Sequence, residues 1–539
     1  MSDVAKAAIT NIFVLMLENH SFDNMLGRSK IDGLRVAPEG ASNSYNGQNY
    51  QVKSPAPWCM TTDPGHEYLD ALQQLCGADA LATFLKKCRK EARTFIECAG
   101  CTYPPTDLSG FASSYATSVS EDTGTPDAPH IGDIMACFDT KEQLPVIYTL
   151  AQQYAVCDAW HSSLPGPTWP NRFFVHGASS SGMNISPGFG DEAEWEVWRG
   201  LGFEYEKGSI YDALTAKGLG FKLYQDKDND FSDRPSSKEQ GGWISQVAAI
   251  RNIGLERIEN LRKFKDDISA QDAGGNPAYR QYPYTFIEPN FGASFFSPQP
   301  DGGGKGPRYT GGSSQHPEDN CYGGEGLIKF VYETIRNSPV WETSMLIIVY
   351  DEHGGFYDSA FPPPAVPPGD HVHSERKLNE YCFDFSMLGV RVPAVIVSPW
   401  VAKGHVDHTL FDHSSVLATL ERKHGIGPLT KRDAAANDLW AMLGDTIRAD
   451  CPTTLPNPML PPRGPNYETI VPDDRHNDAL PRSGNAVGFL HVLLKTEIEL
   501  AQKCGGRPPE EIIADFGKIA THADASAYVA KIGAMLDEL

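Results

Sequence analysis

Residues 345–358 read MLIIVYDEHGGFYD and combine an apolar run with an abrupt polar end. Five apolar residues are followed, after one tyrosine, by Asp351, Glu352 and His353, and two glycines then let the backbone turn tightly. A short continuous apolar run is typical of a strand that is buried on both faces. Polar side chains directly after such a strand lie at the carboxyl edge of an α/β sheet, where ligands bind. The stretch therefore predicts an α/β fold with a polar site at one strand end.

A second copy of this pattern lies at residues 11–27, NIFVLMLENHSFDNMLG. Its apolar run ends in Glu18 and Asn19, and Ser21 is a suitable cap for a helix that begins near Phe22. The run is too short for a signal peptide, and no small-residue cleavage site follows it. Two strands that both end in acidic or amide side chains favour a metal site over two ordinary polar turns.

Glu18, Asn19, Asp351 and Glu352 form the oxygen-rich set that these two strand ends supply. Carboxylate and amide oxygens suit hard divalent cations such as Mg²⁺, Ca²⁺ or Mn²⁺, and an added imidazole would suit Zn²⁺. The sequence therefore predicts a divalent metal and leaves its identity open.

The composition limits the partners. The 539 residues carry 46 basic and 69 acidic side chains, a net charge of −23, which argues against general nucleic-acid binding. The same charge disfavours an anionic membrane surface, so a lipid substrate would be met by peripheral contact with a membrane or micelle, without a polybasic anchor. No apolar run approaches the ~20 residues that span a bilayer. Without a signal peptide the default expectation is a cytoplasmic protein, with secretion as the alternative; the oligomeric state is open.

The chain divides by composition into a main region and a helical end. We expect a catalytic domain over residues 1–450 with irregular insertions near 36–130 and 183–240, and a helical region over 467–539 after a proline-rich linker. Periodicity predicts helices near 148–154, 258–267, 325–337, 411–425, 485–503, 509–520 and 525–538, and strands near 155–160, 284–287 and 392–398. Alternation of strands and helices is typical of a mostly parallel sheet.

Five of the 11 cysteines lie in the first insertion, where Cys98 and Cys101 have the spacing of a zinc knuckle or a redox pair. No second pair of cysteines or histidines accompanies them, which disfavours zinc. An odd total without a signal peptide favours mostly reduced thiols, while local disulfides within the insertion are about as consistent with the pattern.

Thr168 is the candidate nucleophile, in the loop PGPTWPNR at residues 165–172. Prolines on both sides restrict the loop and hold the hydroxyl in place. A threonine hydroxyl needs a neighbouring base or a metal to attack at neutral pH. Arg172 could present its planar fork of donors to phosphate oxygens, or it could serve the following helix as a structural residue.

Four histidines lie in loops beside the apolar strands: His66, His316, His353 and His413. A neutral imidazole can bind a metal, and a charged one can pair with phosphate or protonate a leaving oxygen. Each alone is more often a packed or capping residue, so the group carries more weight than any member.

Taken together, these motifs resemble the phosphoesterase family that contains the non-specific phospholipases C and related acid phosphatases. The segments that carry the resemblance, in that family's order from residue 11 to about 425, are LENHSFDNMLG, DPGH, PTWPNRFFVHG, QHP, VYDEHGGFYD, LGVRVPAVIVSPW and FDHSSVLATL. The resemblance implies an alkaline-phosphatase-like α/β/α sandwich around a mostly parallel sheet.

The resemblance also implies roles for individual residues. It implies a hydroxyl nucleophile at Thr168 beside a divalent metal, for which this hydroxyl is itself a ligand. At the strand ends it implies four metal ligands, Glu18, Asn19, Asp351 and Glu352. Around them it implies the histidines His66 and His316 and, less securely placed, His353 and His413.

Two departures distinguish branches within the family. Its phosphatases resemble the chain less, since they carry serine at the nucleophile, whereas the phospholipase-like members carry threonine as here. The phosphatases also carry a histidine pair where this chain has Glu288-Pro289-Asn290. We therefore expect a metal-dependent phospholipase C that cleaves glycerophospholipids, with phosphatidylcholine as one candidate, through a phospho-threonine. The alternative is a broad-specificity acid phosphatase; a serine lipase is disfavoured because no GxSxG motif occurs.

Overall fold

The computed structural model describes residues 3–90, 98, 100–118, 125–188, 202–233, 241–294, 308–309, 311–370, 379–462 and 479–538. Their strands are β1 Asn11–Leu17, β2 Ser42–Tyr45, β3 Gln48–Gln51, β4 Ala155–Cys157, β5 Phe221–Gln225, β6 Glu259–Asn260, β7 Tyr284–Glu288, β8 Ala293–Ser294, β9 Arg308–Tyr309, β10 Ser344–Tyr350, β11 Ala394–Val397 and β12 His405–Asp407. Their α-helices are α1 Asp3–Ala8, α2 Phe22–Leu26, α3 Tyr68–Cys76, α4 Ala78–Lys87, α5 Phe111–Thr117, α6 Thr140–Gln143, α7 Pro145–Gln153, α8 Thr168–Gly177, α9 Ile210–Ala216, α10 Phe264–Ser269, α11 Tyr322–Arg336, α12 Ser414–His424, α13 Lys431–Ala435, α14 Asn485–Cys504, α15 Pro509–Phe516 and α16 His522–Asp537.

The main sheet has eight strands in the order β12-β4-β11-β10-β1-β7-β5-β6. β1 lies between β10 and β7 and is parallel to both, and β11 alone runs antiparallel to its neighbours in this sheet. Every residue of β1 and β10 is buried, so both faces of the sheet are covered. This confirms the predicted α/β sandwich with a mostly parallel sheet. The apolar residues of β11 predict a buried strand but do not predict in which direction it runs.

Most predicted helices and strands are present, with ends that differ by a few residues from the prediction. Ser21 caps α2 as predicted, by accepting a hydrogen bond from the Asn24 backbone N–H. The helix predicted over 258–267 is wrong in its first half. There the chain forms β6, which pairs with β5, and then a 3₁₀ turn at Leu261–Lys263 that leads into α10. Asn260 accepts a hydrogen bond from the Arg262 backbone and so begins the turn after the strand.

The first insertion has more regular structure than its composition predicts. It contains the β2–β3 hairpin and helices α3, α4 and α5. Cys98 and Cys101 do not pair with each other; the disulfides are Cys88–Cys101 and Cys98–Cys382. The other cysteines form no disulfide; they are Cys59, Cys76, Cys137, Cys157, Cys321, Cys451 and Cys504. The chain thus combines both alternatives that the cysteine pattern left open.

The three predicted C-terminal helices are present as α14, α15 and α16. α14 packs against α8: the rings of Phe489 and Trp169 lie 5.7 Å apart, and Phe291 lies 5.2 Å from Phe489. These helices therefore share the main core, while the proposed domain division at 450 and 467 stays a prediction. Part of the insertion predicted near 183–240 falls outside the described residues, at 189–201 and 234–240. No helix in the described ranges is long and apolar enough to cross a membrane.

Candidate active site

The carboxyl ends of β1 and β10 meet at one edge of the sheet. Because the two strands pair in parallel with Leu17 opposite Tyr350, the residues that follow each strand become neighbours. The Asn19 backbone N–H donates to Asp351 Oδ1 at 3.1 Å. Asn19 adopts a left-handed conformation with φ +59°, which is uncommon outside glycine and typical of functional turns. The structure thus brings together the two strand ends that the sequence singles out.

Thr168 is the first residue of α8 and is fully buried. Its Oγ1 donates a hydrogen bond to Asn19 Oδ1 at 3.2 Å, which directs the hydroxyl to the end of β1. The N-terminus of a helix carries partial positive charge and favours an anion, either an alkoxide or a phosphoryl oxygen. The hydroxyl therefore lies where negative charge would be stabilised during attack on phosphorus.

Three buried carboxylates follow the two strands, namely Glu18, Asp351 and Glu352. Burial raises the pKa of Glu18 to about 7, an effect that Arg172 partly opposes and that Glu352 reinforces. Burial likewise raises the pKa of Asp351 well above its ordinary range, again with opposition from Arg172 and reinforcement from the other two carboxylates. So much negative charge in a buried place is unfavourable unless a cation or protons neutralise it.

The buried oxygen atoms provide a test of whether a metal fits. Within the described part of the chain, Glu18 Oε2, Asp351 Oδ2 and Glu352 Oε1 are buried and accept no hydrogen bond. A cation would supply the missing partner of each, and the oxygen donors suit a hard divalent ion. No group of three or more His, Cys, Asp or Glu side chains in the described ranges is already arranged to hold a metal. A site completed by Asn19 and Thr168 is chemically consistent and stays a prediction.

His66 and His316 lie together, with ring centroids 6.2 Å apart. His66 Nδ1 lies 2.9 Å from the Pro64 carbonyl oxygen, to which it donates, so Nε2 carries the lone pair. His316 Nε2 lies 3.7 Å from Asp63 Oδ2, and burial with the neighbouring histidines holds the pKa of His316 well below its ordinary value. His316 is therefore neutral, and its imidazole is suited to metal binding or to accepting a proton.

His353 and His413 contact Glu352 and Asp351, the two acidic residues that follow β10. His353 Nε2 lies 2.6 Å from Gln74 Oε1, and its Nδ1 lies 3.3 Å from Glu352 Oε2. His413 Nε2 lies 2.6 Å from the Asp351 carbonyl oxygen, and Trp160 donates to its other nitrogen at 3.4 Å. Burial lowers the pKa of His413 to about 4. With both ring nitrogens engaged, His413 is better placed to position Asp351 than to transfer a proton.

Arg172 directs its guanidinium into the protein. It donates to Gln246 and to the Met16 carbonyl oxygen, and its Nε lies 3.7 Å from Asp351 Oδ2. The group is 2% exposed and lies over the Phe291 ring. Of the two roles that the sequence allows, this environment favours support of the carboxylates over direct contact with a phosphate.

Two supporting amides were not predicted. Asn171 Nδ2 donates to three carbonyl oxygens of the nucleophile loop and its Oδ1 accepts from the Leu164 backbone. Gln74 holds His353 and donates to the Gly65 carbonyl oxygen beside His66. Asn171 lies three residues after Thr168, which is a weak signal, but nothing in the sequence connects Gln74 with a residue 279 positions away.

Gly354 gives a test of this geometry. Its φ is +60°, and an added Cβ would lie 2.0 Å from the Asn19 carbonyl oxygen. Gly354→Ala is therefore expected to displace Asn19 and to lower hydrolytic activity by about 100-fold, since a shift of 1 Å at a site can cost that much. Gly47→Ala is the matched control, because Gly47 has φ +76° and no atom within 4 Å of an added Cβ. Both pay about 1–2 kcal/mol for the left-handed backbone. Equal losses of activity and of unfolding free energy in the two variants would contradict the close approach.

The fold and the buried edge define an α/β enzyme with its polar groups gathered at the ends of parallel strands. The profile of the phosphoesterase family matches residues 9–427. The chain therefore belongs to the phosphoesterase family and is a phosphoric ester hydrolase.

Two relatives from Arabidopsis thaliana illustrate the membership. Non-specific phospholipase C3 is 31% identical over 474 residues, covering 83% of this chain and 76% of the relative. Non-specific phospholipase C1 is 30% identical over 477 residues, covering 84% and 74%. Among solved structures, a protein of the alkaline phosphatase superfamily from Vibrio parahaemolyticus is 13% identical with a TM-score of 0.30, covering 68% of this chain and 81% of that one. This structural similarity is too low to carry an inference.

Proposed function

We propose that the protein is a metal-dependent phospholipase C that cleaves glycerophospholipids to diacylglycerol and a phosphorylated headgroup. The observation that carries the proposal is the buried Thr168 hydroxyl at the N-terminus of α8, which donates a hydrogen bond to Asn19, while the Asn19 backbone donates to the buried Asp351 carboxylate. The names of the Arabidopsis thaliana relatives support the substrate class.

The proposed reaction has two steps. Thr168 Oγ1 attacks phosphorus in line while its proton passes to a neighbouring histidine; the bond from phosphorus to the diacylglycerol oxygen breaks, and the charged histidine donates that proton to the leaving oxygen. Water then attacks the phospho-threonine and releases the headgroup phosphate together with the threonine hydroxyl. His66 and His316 are the candidates for stabilising or protonating the reacting oxygens.

A divalent cation held by Glu18, Asn19, Thr168, Asp351 and Glu352 would lower the pKa of the threonine hydroxyl and offset charge on phosphorus. Arg172 supports this set from within the protein, since it lies beside Asp351 and donates to the β1 backbone. His353 contacts Glu352 and His413 contacts the Asp351 backbone, so both histidines help to orient these ligands.

A direct comparison of substrates tests the reaction class. The purified protein is assayed on phosphatidylcholine and on p-nitrophenyl phosphate, with and without chelator, and Thr168→Ala serves as the blank. Release of diacylglycerol that is lost in the variant and with chelator is the expected result. Hydrolysis of the monoester alone would assign the acid phosphatase reaction instead.

A further inference from the structure

A cavity of about 500 Å³ opens on the same sheet edge as the candidate active site. It lies at the end of β4, where Asp158 follows the strand and lines the cavity. β4 runs parallel to β10 and is separated from it by β11, so the two strand ends are about 10 Å apart laterally. Any surface that covers this cavity therefore also lies near the strand ends that carry Asp351.

Two exposed apolar side chains flank the cavity. Phe361 is 57% exposed and Leu410 is 38% exposed, and both line it. Phe361 begins the segment FPPPAVPP, residues 361–368, which contains no charged residue and in which Val366 is 43% exposed. We call residues 361–368 together with Leu410 the apolar rim. Large apolar side chains grouped on a surface mark a place of contact.

The apolar rim is held in one conformation. The Ala365 N–H donates to the Ser386 carbonyl oxygen at 2.7 Å, and the Leu388 N–H donates to the Pro363 carbonyl oxygen at 3.0 Å. The prolines limit the backbone further. A rigid rim can be buried in a partner without the ordering cost that a flexible loop would pay.

Beside the rim, two exposed nitrogen-bearing side chains lie outside a buried carboxylate. Arg35 and His408 both bind Asp158, at 2.6 Å and 2.9 Å. The Arg35 and His408 side chains are 57% and 51% exposed, whereas that of Asp158 is fully buried. Incoming phosphate oxygens would therefore meet exposed nitrogen donors, and the carboxylate would stay behind them.

We propose that the apolar rim is the surface by which the protein docks onto a zwitterionic phospholipid interface. Phe361 and Leu410 enter the region between headgroups and acyl chains, and Arg35 pairs with lipid phosphates. The net charge of −23 selects a zwitterionic over an anionic surface. This inference rests on the proposed function, since it identifies the state in which the lipid substrate is met.

Vesicle binding measures docking without turnover. The double variant Phe361→Ser/Leu410→Ser is mixed with phosphatidylcholine vesicles and separated by sedimentation, and we expect about tenfold weaker binding than for the parent. The matched control is Ile447→Ser/Met459→Ser, whose residues are 41% and 46% exposed and do not line the cavity. This control is expected to bind like the parent. Hydrolysis of the water-soluble p-nitrophenylphosphocholine is expected to be unchanged in both double variants.

The outcomes separate this proposal from the proposed function. Weaker vesicle binding in the rim variant alone supports docking even if the protein turns over no phospholipid. Equal vesicle binding by parent and rim variant overturns the proposal, and so does stronger binding when phosphatidylglycerol is added. Self-association of the parent in solution that the rim variant abolishes would instead assign the surface to a second copy of the chain.

Discussion

Thr168→Ala is expected to lower kcat for phosphoester hydrolysis by at least about 10⁴-fold, as removal of a nucleophile does in other covalent enzymes. The hydroxyl makes one hydrogen bond in the described structure, to Asn19, and its loss costs about 1 kcal/mol of stability. The folded protein should therefore persist with its unfolding transition nearly unchanged. Activity is measured on phosphatidylcholine and stability by urea denaturation.

Two controls define what this result means. Thr168→Ser retains a hydroxyl at the same position and should retain part of the activity. Thr419→Ala removes another buried helical hydroxyl, which donates to the Ser415 carbonyl oxygen at 2.6 Å, and should retain nearly full activity. Acid quenching during turnover should trap the headgroup phosphate on Thr168, detectable by peptide mass spectrometry. Substantial activity in Thr168→Ala would eliminate the threonine as nucleophile.

Asp351→Asn is expected to lower activity by about 10³-fold and to abolish stabilisation by a divalent metal. In the parent, a cation present at 100 times its Kd should stabilise the fold by about 2.7 kcal/mol. Without metal the variant should unfold at a higher temperature than the parent, because burial disfavours the ionised Asp351 carboxylate whereas the Asn amide carries no charge. Thermal unfolding with and without chelator and with Mg²⁺, Ca²⁺, Mn²⁺ or Zn²⁺ measures both effects.

The metal effect should also depend on pH. Because burial raises the pKa of Glu18 to about 7, the metal must displace a proton at lower pH, so its stabilisation should be smaller at pH 6 than at pH 8. Glu325→Gln is the matched control: Glu325 is another buried carboxylate, which accepts N–H groups of Val146 and Ile147 at 2.7 and 2.9 Å. It should retain the full metal effect. A parent that no tested cation stabilises would contradict the metal site.

Local sequence patterns predicted those strands and helices whose burial follows a regular pattern along the chain. The apolar runs that become β1 and β10 were recognised because a strand buried on both faces must be apolar throughout. The three C-terminal helices were recognised because their periodicity extends over several turns. The error at 258–267 arose because residues 259–260 pair with β5 in spite of a helical pattern of apolar residues. Such pairing depends on a distant strand and cannot be predicted from a local pattern.

The sequence predicted which residues belong to the candidate site, but it did not predict which of them contact one another. Glu18, Asn19 and Asp351 follow apolar strands and could be named in advance. The hydrogen bond from Thr168 to Asn19 joins residues 149 positions apart and exists only because α8 begins against the end of β1. The inward direction of Arg172 likewise depends on Gln246, which arrives from another segment.

The sequence by itself determined the α/β class, the polar strand ends and the threonine between prolines. Each of these features depends only on the residue types within a short segment. The tertiary structure alone decided which carboxylate oxygens lie buried without a donor, which histidines have both nitrogens engaged, and that Phe361 and Leu410 flank one cavity at the sheet edge. Those properties depend on distances between segments far apart in the chain. Such distances are set by packing of the whole molecule, which local periodicity does not encode.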